Sequence, residues 1–382
     1  MPMPEPSRPI LRLAFFSISL LGAAWLGVSS LGLQACSIAA SDLIATVDRR
    51  PLLTSLRDTV IIPRSERFAA KASVLEEAAA GLEADPSPER LDSAKAAWKE
   101  ASLAWAALQA TRVGPILDQT PRLDFWPTRS NLIEQALASS FALDSNRLAS
   151  LTPSAAKGLP ALEWLLFAAP SDSLLAILGD SLQGPRRGRY IAAAATDVRR
   201  AAAGILADWK GATGAAFAAP ASGTRYPTSQ MAIEELIKGL VATLEDMKNG
   251  KVLVPAGAKT AGRPQPDAVE SPYADYSLDI LRANLDGVES AFKGQGPLGS
   301  GTGLNDYMTA LGSEIPARIS EDIAKAKTAL AAVPAPLASS VVGQNAKVTA
   351  LGAALTDLVV AVKNDVASTL GFNITFTDND GD

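Results

Sequence analysis

Apolar residues recur along most of this chain at the three- and four-residue steps that are typical of amphipathic helices. This spacing predicts helices near residues 65–84, 88–114, 130–140, 160–168, 186–209, 275–292, 303–311, 314–332 and 344–370. Within the second of them, Trp98 and Trp105 are seven residues apart, so both should face the core.

The helical pattern divides into two sets. Between them, residues 213–227 are rich in alanine, glycine, serine and proline, a composition that predicts a linker. We therefore predict an all-α protein in which two helical-bundle domains, residues 63–212 and 228–382, pack against each other. This architecture also suits the composition, because 48% of the residues are hydrophobic but only 5% are aromatic.

The N-terminal region has the features of an export signal. Two arginines precede an apolar run over residues 13–33, and Leu33-Gln34-Ala35-Cys36 resembles the lipobox of bacterial lipoproteins. Cys36 is the only cysteine of the chain, so no disulfide can form within it. The alternative is a plain signal-anchor helix, because about 20 apolar residues can span a bilayer.

From this motif we predict that residues 1–36 are a lipoprotein signal peptide ending in Cys36, the site of lipidation. Residues 37–62 then form a tether and lead-in segment. The membrane would be a partner through the lipid anchor. Because Ser37 rather than aspartate follows the cysteine, we expect the protein at the outer membrane, facing the periplasm, if the host is Gram-negative.

Composition excludes several function classes. The chain has no histidine, so serine–histidine catalysis, cysteine–histidine catalysis and imidazole-based zinc sites are unavailable. The formal net charge is −5 and no basic stripe is present, which argues against a nucleic-acid partner. An oxygen-ligand site for a hard cation remains open.

A single carboxylate lies inside the most apolar central stretch, Gly158-Leu159-Pro160-Ala161-Leu162-Glu163-Trp164-Leu165-Leu166-Phe167. Proline favours the first helical position, so the stretch predicts a buried helix that starts at Pro160, with Glu163 in its first turn. Two interpretations of Glu163 stay open. It interacts with the partial positive charge of the helix N-terminus, or it faces a cleft and binds a ligand.

The same stretch resembles the motif of the imelysin family, also called peptidase M75-like, which reads Gly-x-His-x-x-Glu. Gly158 and Glu163 match the motif, and Pro160 stands in place of the histidine. Similar matches run from about Leu53 to the C-terminus: Trp98…Arg112-Val113-Gly114-Pro115, Phe125-Trp126-Pro127, Arg187…Tyr190…Trp209, Glu270-Ser271, Leu281-Arg282-Ala283-Asn284-Leu285-Asp286-Gly287 and Leu370-Gly371-Phe372.

The resemblance implies two related helical bundles with a site between them, and a link to iron uptake. The candidate ligand-binding residues are Glu163, Arg112, Asp124, Trp126, Glu270 and Ser271. Among them, Glu163 and Glu270 are the candidate metal ligands, for iron or another hard cation held through oxygen atoms. Each has a plainer interpretation: Arg112 as a solvated helix-end cation, Asp124 and Trp126 as a loop anchor, and Ser271 as a helix N-cap.

Three functions stay open. The first is a non-enzymatic, periplasm-facing lipoprotein that takes part in iron or metal acquisition and has iron-uptake components as partners. The alternatives are a divergent hydrolase that uses carboxylates alone and a carbohydrate-binding lipoprotein. A cleft lined by carboxylates would favour cation binding, whereas a cleft lined by aromatic faces and neutral polar groups would favour sugar binding.

Overall fold

The computed structural model describes residues 47–150 and 152–372, which belong to one compact unit. Cys36 and the export segment lie outside the described residues. Within those residues, the only strands are the two-residue pair β1 (Gln295–Gly296) and β2 (Gly299–Ser300), which form an antiparallel hairpin. The prediction of an all-α protein is therefore confirmed.

The first bundle is built on three long helices, α2 (Ile62–Ala84), α3 (Pro88–Gln109) and α9 (Gly184–Lys210). Helix α2 packs along both α3 and α9. The helices of this bundle are α1 (Arg50–Ser55), α2 (Ile62–Ala84), α3 (Pro88–Gln109), α4 (Pro115–Leu123), α5 (Ser130–Ala138), α6 (Ser145–Ser150), α7 (Gly158–Phe167), α8 (Ser171–Gly179), α9 (Gly184–Lys210) and α10 (Ala212–Ala218).

The second bundle contains the remaining helices and two of the three π-helical segments. Its α-helices are α11 (Ser229–Glu245), α12 (Ser277–Lys293), α13 (Leu304–Ala310), α14 (Ile315–Ala331), α15 (Leu337–Gly343), α16 (Asn345–Val360) and α17 (Ala367–Thr369). The π-helical segments of the chain are Leu56–Ile61, Asp246–Leu253 and Ala361–Val366.

The lead-in segment predicted over residues 37–62 is helical from Arg50 onward, which corrects that part of the prediction. Its apolar side chains, among them Leu53 and Val60, are fully buried in the core. The helical path also continues through Pro63. The π-helical segment Leu56–Ile61 lies directly before this proline, where the usual α-helical hydrogen bond cannot form because proline has no N–H.

The predicted linker over residues 213–227 is packed against the first bundle. Helix α10 occupies its first part, and Phe217 and Tyr226 are buried. The ring of Phe217 contacts those of Trp209 and Tyr226 edge-on, with centroids 5.3 Å apart in both pairs. This segment therefore adds aromatic surface to the core instead of forming a free connection.

The two bundles meet where α12 crosses α3. Gly287 allows this close approach, because a Cβ atom at that position would lie 2.3 Å from the carbonyl oxygen of Ala107. At the same crossing, the buried Asn284 donates from Nδ2 to the carbonyl oxygen of Ala106 at 2.8 Å. Most buried apolar side chains of both bundles form one continuous core, and Ala106, Ile280 and Ala283 form a small separate cluster at the crossing.

Candidate functional site

Glu163 connects the two bundles. It lies on α7 and is only 1% exposed, and its Oε1 accepts backbone hydrogen bonds from Tyr273 at 2.9 Å and Ala274 at 3.0 Å. Both donors belong to the loop that precedes α12 in the second bundle. A carboxylate of the first bundle thus holds a loop of the second.

The start of α7 differs from the prediction. The helix begins at Gly158 rather than Pro160, so Glu163 lies in the second turn and its carboxylate is not at the helix N-terminus. Gly158 has a φ of +75°, and a Cβ there would lie 2.5 Å from the carbonyl oxygen of Leu123. Only glycine fits this tight turn. The interpretation of Glu163 as a first-turn charge is therefore wrong.

Burial governs the protonation of Glu163. Loss of water raises its pKa from the ordinary value of 4.5 to about 7. The backbone hydrogen bonds from Ala274 and Tyr273 oppose this rise, whereas the charge of Glu270 adds to it. The carboxyl group consequently exchanges its proton near neutral pH, and a bound cation would compete with that proton.

Glu270 and Ser271 lie in the loop before α12. The helix begins only at Ser277, with Tyr276 as its N-cap residue, so the interpretation of Ser271 as an N-cap is wrong. Ser271 instead adopts a left-handed conformation with a φ of +53°. This conformation is uncommon for serine and costs free energy, which the packing around the loop must offset.

Glu270 is buried and paired with a lysine. Its Oε1 lies 2.9 Å from Nζ of Lys251, and the same Nζ donates to Oδ1 of Asn284 at 3.0 Å. Burial raises the pKa of Glu270, while the neighbouring charge of Lys251 lowers it. Because Asn284 is itself held by α3, the ammonium group is fixed against this one carboxylate oxygen.

An inner chamber of about 20 Å³ lies between α3, α7 and the Glu270 loop. This volume suits one water molecule or one ion. The polar residues that line it are Ser102, Asp124, Glu163, Glu270 and Ser271. Pro160 also lines the chamber and contributes an apolar side chain to it.

Three of these side chains have a buried oxygen without a hydrogen-bond partner among the described residues. They are the hydroxyl groups of Ser102 and Ser271 and the Oε2 atom of Glu270. Leaving a buried polar atom unpaired typically costs about 1–3 kcal/mol. Three such atoms around one small chamber are available to pair with a water molecule or an ion.

An outer cleft of about 190 Å³ adjoins the chamber and shares Asp124, Trp126 and Glu270 with it. Arg112 lies in this cleft and forms an ion pair with Asp246 of the second bundle. The arginine side chain is mostly buried, whereas the aspartate is half exposed. Arg112 is therefore a partner of a cleft carboxylate and not a solvated cation.

All six sequence-predicted site residues line the chamber, the cleft or both. Asp124 serves in addition as a loop anchor, since its Oδ2 accepts from Nε1 of Trp105 at 3.1 Å. The sequence did not identify Ser102, Asp246, Lys251 or Asn284. Only Asn284 carried a usable signal, because it lies within a segment that resembles the family.

The site offers carboxylate and hydroxyl oxygens, the donors that hard cations prefer. Among the residues that the structure describes, no three histidine, cysteine, aspartate or glutamate side chains form a metal-binding group. Aromatic faces, which would favour sugar binding, are mostly part of the core here: Trp98 and Trp105 are each 2% exposed. The chamber, at about 20 Å³, is also too small for a polypeptide or sugar substrate.

The comparisons with known proteins agree with this architecture. The family model of imelysin, Peptidase M75, matches residues 61–365. Iron-regulated protein A of Synechococcus elongatus is 26% identical over 305 residues, which are 78% of this chain and 79% of that protein.

Two crystal structures share the fold. One, from Parabacteroides distasonis, is named as a precursor of iron-regulated protein A. It has a TM-score of 0.72 at 20% identity and covers 84% of this chain and 95% of that one. The other is an imelysin-like protein from Psychrobacter arcticum, with a TM-score of 0.64 at 19% identity over 89% and 98% of the two chains. The extent of the family match shows that this chain belongs to the imelysin (peptidase M75) family.

Proposed function

We propose that this protein is an exported lipoprotein that takes part in iron acquisition by binding a hard cation in the inner chamber, without converting a substrate chemically. The names of two relatives refer to regulation by iron, which supports the link to iron. Glu163 and Glu270 would supply the charged oxygen ligands, and the hydroxyl groups of Ser102 and Ser271 would supply neutral ones.

The observation that carries this proposal is the unpaired Oε2 atom of Glu270. The residue is 7% exposed, and this oxygen is buried beside the chamber with no hydrogen-bond donor among the described residues. A buried carboxylate oxygen without a donor is costly unless a proton or a cation satisfies it. The unpaired hydroxyl groups beside it would complete an all-oxygen environment.

A binding role also fits the chemistry that the chain lacks. Because the sequence has no histidine and its only cysteine is Cys36, neither an imidazole base nor an imidazole zinc ligand is available. Glu163 could act as a base, since its pKa is about 7. Its Oε1 is nevertheless committed to two backbone N–H groups, and the chamber leaves no room for a peptide.

We expect cation binding to depend on both glutamates. The described residues belong to one compact unit, so the chain from residue 37 onward can be titrated calorimetrically with Fe³⁺-citrate, Ca²⁺ and Mg²⁺. Glu163→Gln and Glu270→Gln should each weaken binding at least about tenfold, because even outer partners of metal ligands contribute this much. Glu77→Gln, on an exposed face of α2, is the matched control and should bind like the wild type.

Two results of this titration would count against the proposal. Equal affinities in all four proteins would show that the cation binds outside the chamber. No heat with any cation, together with cleavage of an unfolded protein substrate by the wild type, would overturn the non-enzymatic function as well. We expect no such cleavage, with or without added Zn²⁺.

The proposed location rests on Cys36. We expect Cys36→Ser to leave the precursor unprocessed or to release the protein from the membrane fraction, because acyl chains contribute about 0.8 kcal/mol per buried CH₂ group and several are needed for stable anchoring. Cell fractionation and intact mass measure the two effects. A mature wild-type protein whose mass shows no lipid on Cys36 would exclude the anchor.

A further inference from the structure

We infer that Lys251 is a built-in competitor for the cation site, so that a cation binds Glu270 only by displacing the ammonium group of this lysine. Lys251 would thereby determine which cations the chamber accepts. This inference rests on the proposed function, because it concerns the same chamber. It adds a specificity-determining residue that does not itself bind the ligand.

The first support is that the two carboxylate oxygens of Glu270 have different surroundings. Its Oε1 atom faces Nζ of Lys251 at 2.9 Å, and its Oε2 atom is the unpaired oxygen beside the chamber. Both side chains are largely buried, at 12% and 8% exposure. A cation on Oε2 would therefore share one carboxylate with the ammonium group, with little water to screen their repulsion.

The second support is the way in which Lys251 is held. Its Nζ donates to Oδ1 of Asn284 at 3.0 Å, and Asn284 is fully buried and bonded to the carbonyl oxygen of Ala106. Fixing an ammonium group in this way prevents the flexible side chain from turning into the solvent. The lysine is thus positioned on Glu270 before a cation binds, and a cation that displaces it must break both contacts of the ammonium group.

The third support is the backbone that carries Lys251. It belongs to the π-helical segment Asp246–Leu253, which also carries Asp246, the partner of Arg112. π-Helical segments are rare and are often found at functional sites. The outer cleft is lined by Gly250 and Lys251 of this segment, so a displaced ammonium group has the cleft immediately beside it.

These contacts predict selection by charge. The pair of Glu270 and Lys251 is neutral, so a monovalent cation gains little from displacing an ammonium group of equal charge. A divalent or trivalent cation is attracted more strongly by the two buried glutamates. This attraction can offset the free-energy cost of displacing the ammonium group. The chamber should consequently prefer highly charged, hard cations and disfavour Na⁺ and K⁺.

Replacing Lys251 tests the inference directly. The full chain is titrated with Ca²⁺ and with Fe³⁺-citrate, and citrate alone serves as the blank. Lys251→Met should bind Ca²⁺ more tightly by on the order of tenfold and should bind Na⁺ measurably, whereas Lys251→Arg keeps the charge and should show neither gain. Lys248→Met is the matched control, because Lys248 lies on the same segment and pairs with Glu245 instead. Equal or weaker Ca²⁺ binding by a folded Lys251→Met protein would overturn the inference.

A measurement on the wild type covers the case in which Lys251→Met fails to fold. Amine labelling followed by mass spectrometry compares Lys251 with Lys248, whose side chains are similarly buried at 12% and 16% exposure. Adding Ca²⁺ should increase the labelling of Lys251 and leave that of Lys248 unchanged. Ca²⁺ binding without increased labelling of Lys251 would contradict the inference while preserving the proposed function. Absence of cation binding by both the wild type and the variant would reject both.

Discussion

Trp105→Ala is expected to lower the free energy of unfolding by about 3–5 kcal/mol, the usual cost of truncating a large aromatic side chain in a core. Trp105 is 2% exposed, and its ring lies 5.2 Å from that of Phe68 between centroids. The substitution also removes the Nε1 donor to Asp124. Because Trp105 lines the inner chamber as well, the variant should lose cation binding along with stability.

Chemical denaturation monitored by circular dichroism measures the loss of stability, and two further substitutions serve as comparisons. Trp105→Phe keeps an aromatic ring but loses the Nε1 donor, so it should cost less than alanine does. Phe125→Ala removes a ring that is 39% exposed beside the same loop, and it should stay within about ±0.5 kcal/mol, the usual range for surface sites. A similarly small change for Trp105→Ala would mean that its side chain is not part of the core.

Helix positions were predictable from the sequence because they depend on local periodicity. The predictions near 314–332 and 344–370 correspond to α14 and to the path through α16 and α17, and the buried faces follow the apolar steps. The lead-in was missed because Pro63 normally indicates a helix start. The π-helical segment before Pro63 allows the helical path to continue through the proline. Nothing in the local residue pattern predicts such a segment.

The predicted linker shows the same dependence on distant contacts. Its alanine, glycine, serine and proline content describes a weakly structured chain when it is considered alone. Packing of the buried Phe217 against both Trp209 and Tyr226 supplies the stabilisation, and Trp209 belongs to a helix that precedes the segment. The composition of residues 213–227 alone cannot reveal the contact with Trp209, because that contact forms only when the first bundle folds.

The candidate site was predictable to the extent that the family resemblance covered it. That resemblance identified all six predicted site residues, although their spacing in the sequence does not match the pattern of a known catalytic or metal-binding motif. Lys251 was missed because its partners, Glu270 and Asn284, are respectively 19 and 33 residues further along the chain, in a loop and on another helix. Ion pairs of this kind follow from tertiary structure and leave no periodic signal.

Glu163 shows why a buried carboxylate can be kept at some cost to stability. In α7 it could be replaced by an apolar residue with no loss to the helix, yet it joins the two bundles through the N–H groups of Tyr273 and Ala274. The loop that it holds carries Glu270 and Ser271 into the chamber. One side chain thus positions the second bundle's contribution to the site and titrates within it.

The pH dependence of stability should report directly on this residue. Burial raises the pKa of Glu163 from 4.5 in the unfolded chain to about 7 in the folded protein, so between these values the folded state binds more protons. Stability therefore falls as pH rises from about 4.5 to 7 and then levels off. At 1.36 kcal/mol per pKa unit, full ionisation of Glu163 costs about 3 kcal/mol.

Glu163→Gln isolates this effect, because a glutamine Oε1 can accept the same two backbone hydrogen bonds but cannot ionise. In the presence of a chelator, we expect the variant to match the wild type near pH 4.5 and to exceed its unfolding free energy by up to about 3 kcal/mol near pH 8. A saturating hard cation should reduce that difference at pH 8, by about 1.4 kcal/mol for each tenfold by which the ionised glutamate strengthens binding. Denaturant titrations at the two pH values measure the change, and a difference between the proteins that does not depend on pH would show that the pKa of Glu163 is the same in the folded and unfolded protein.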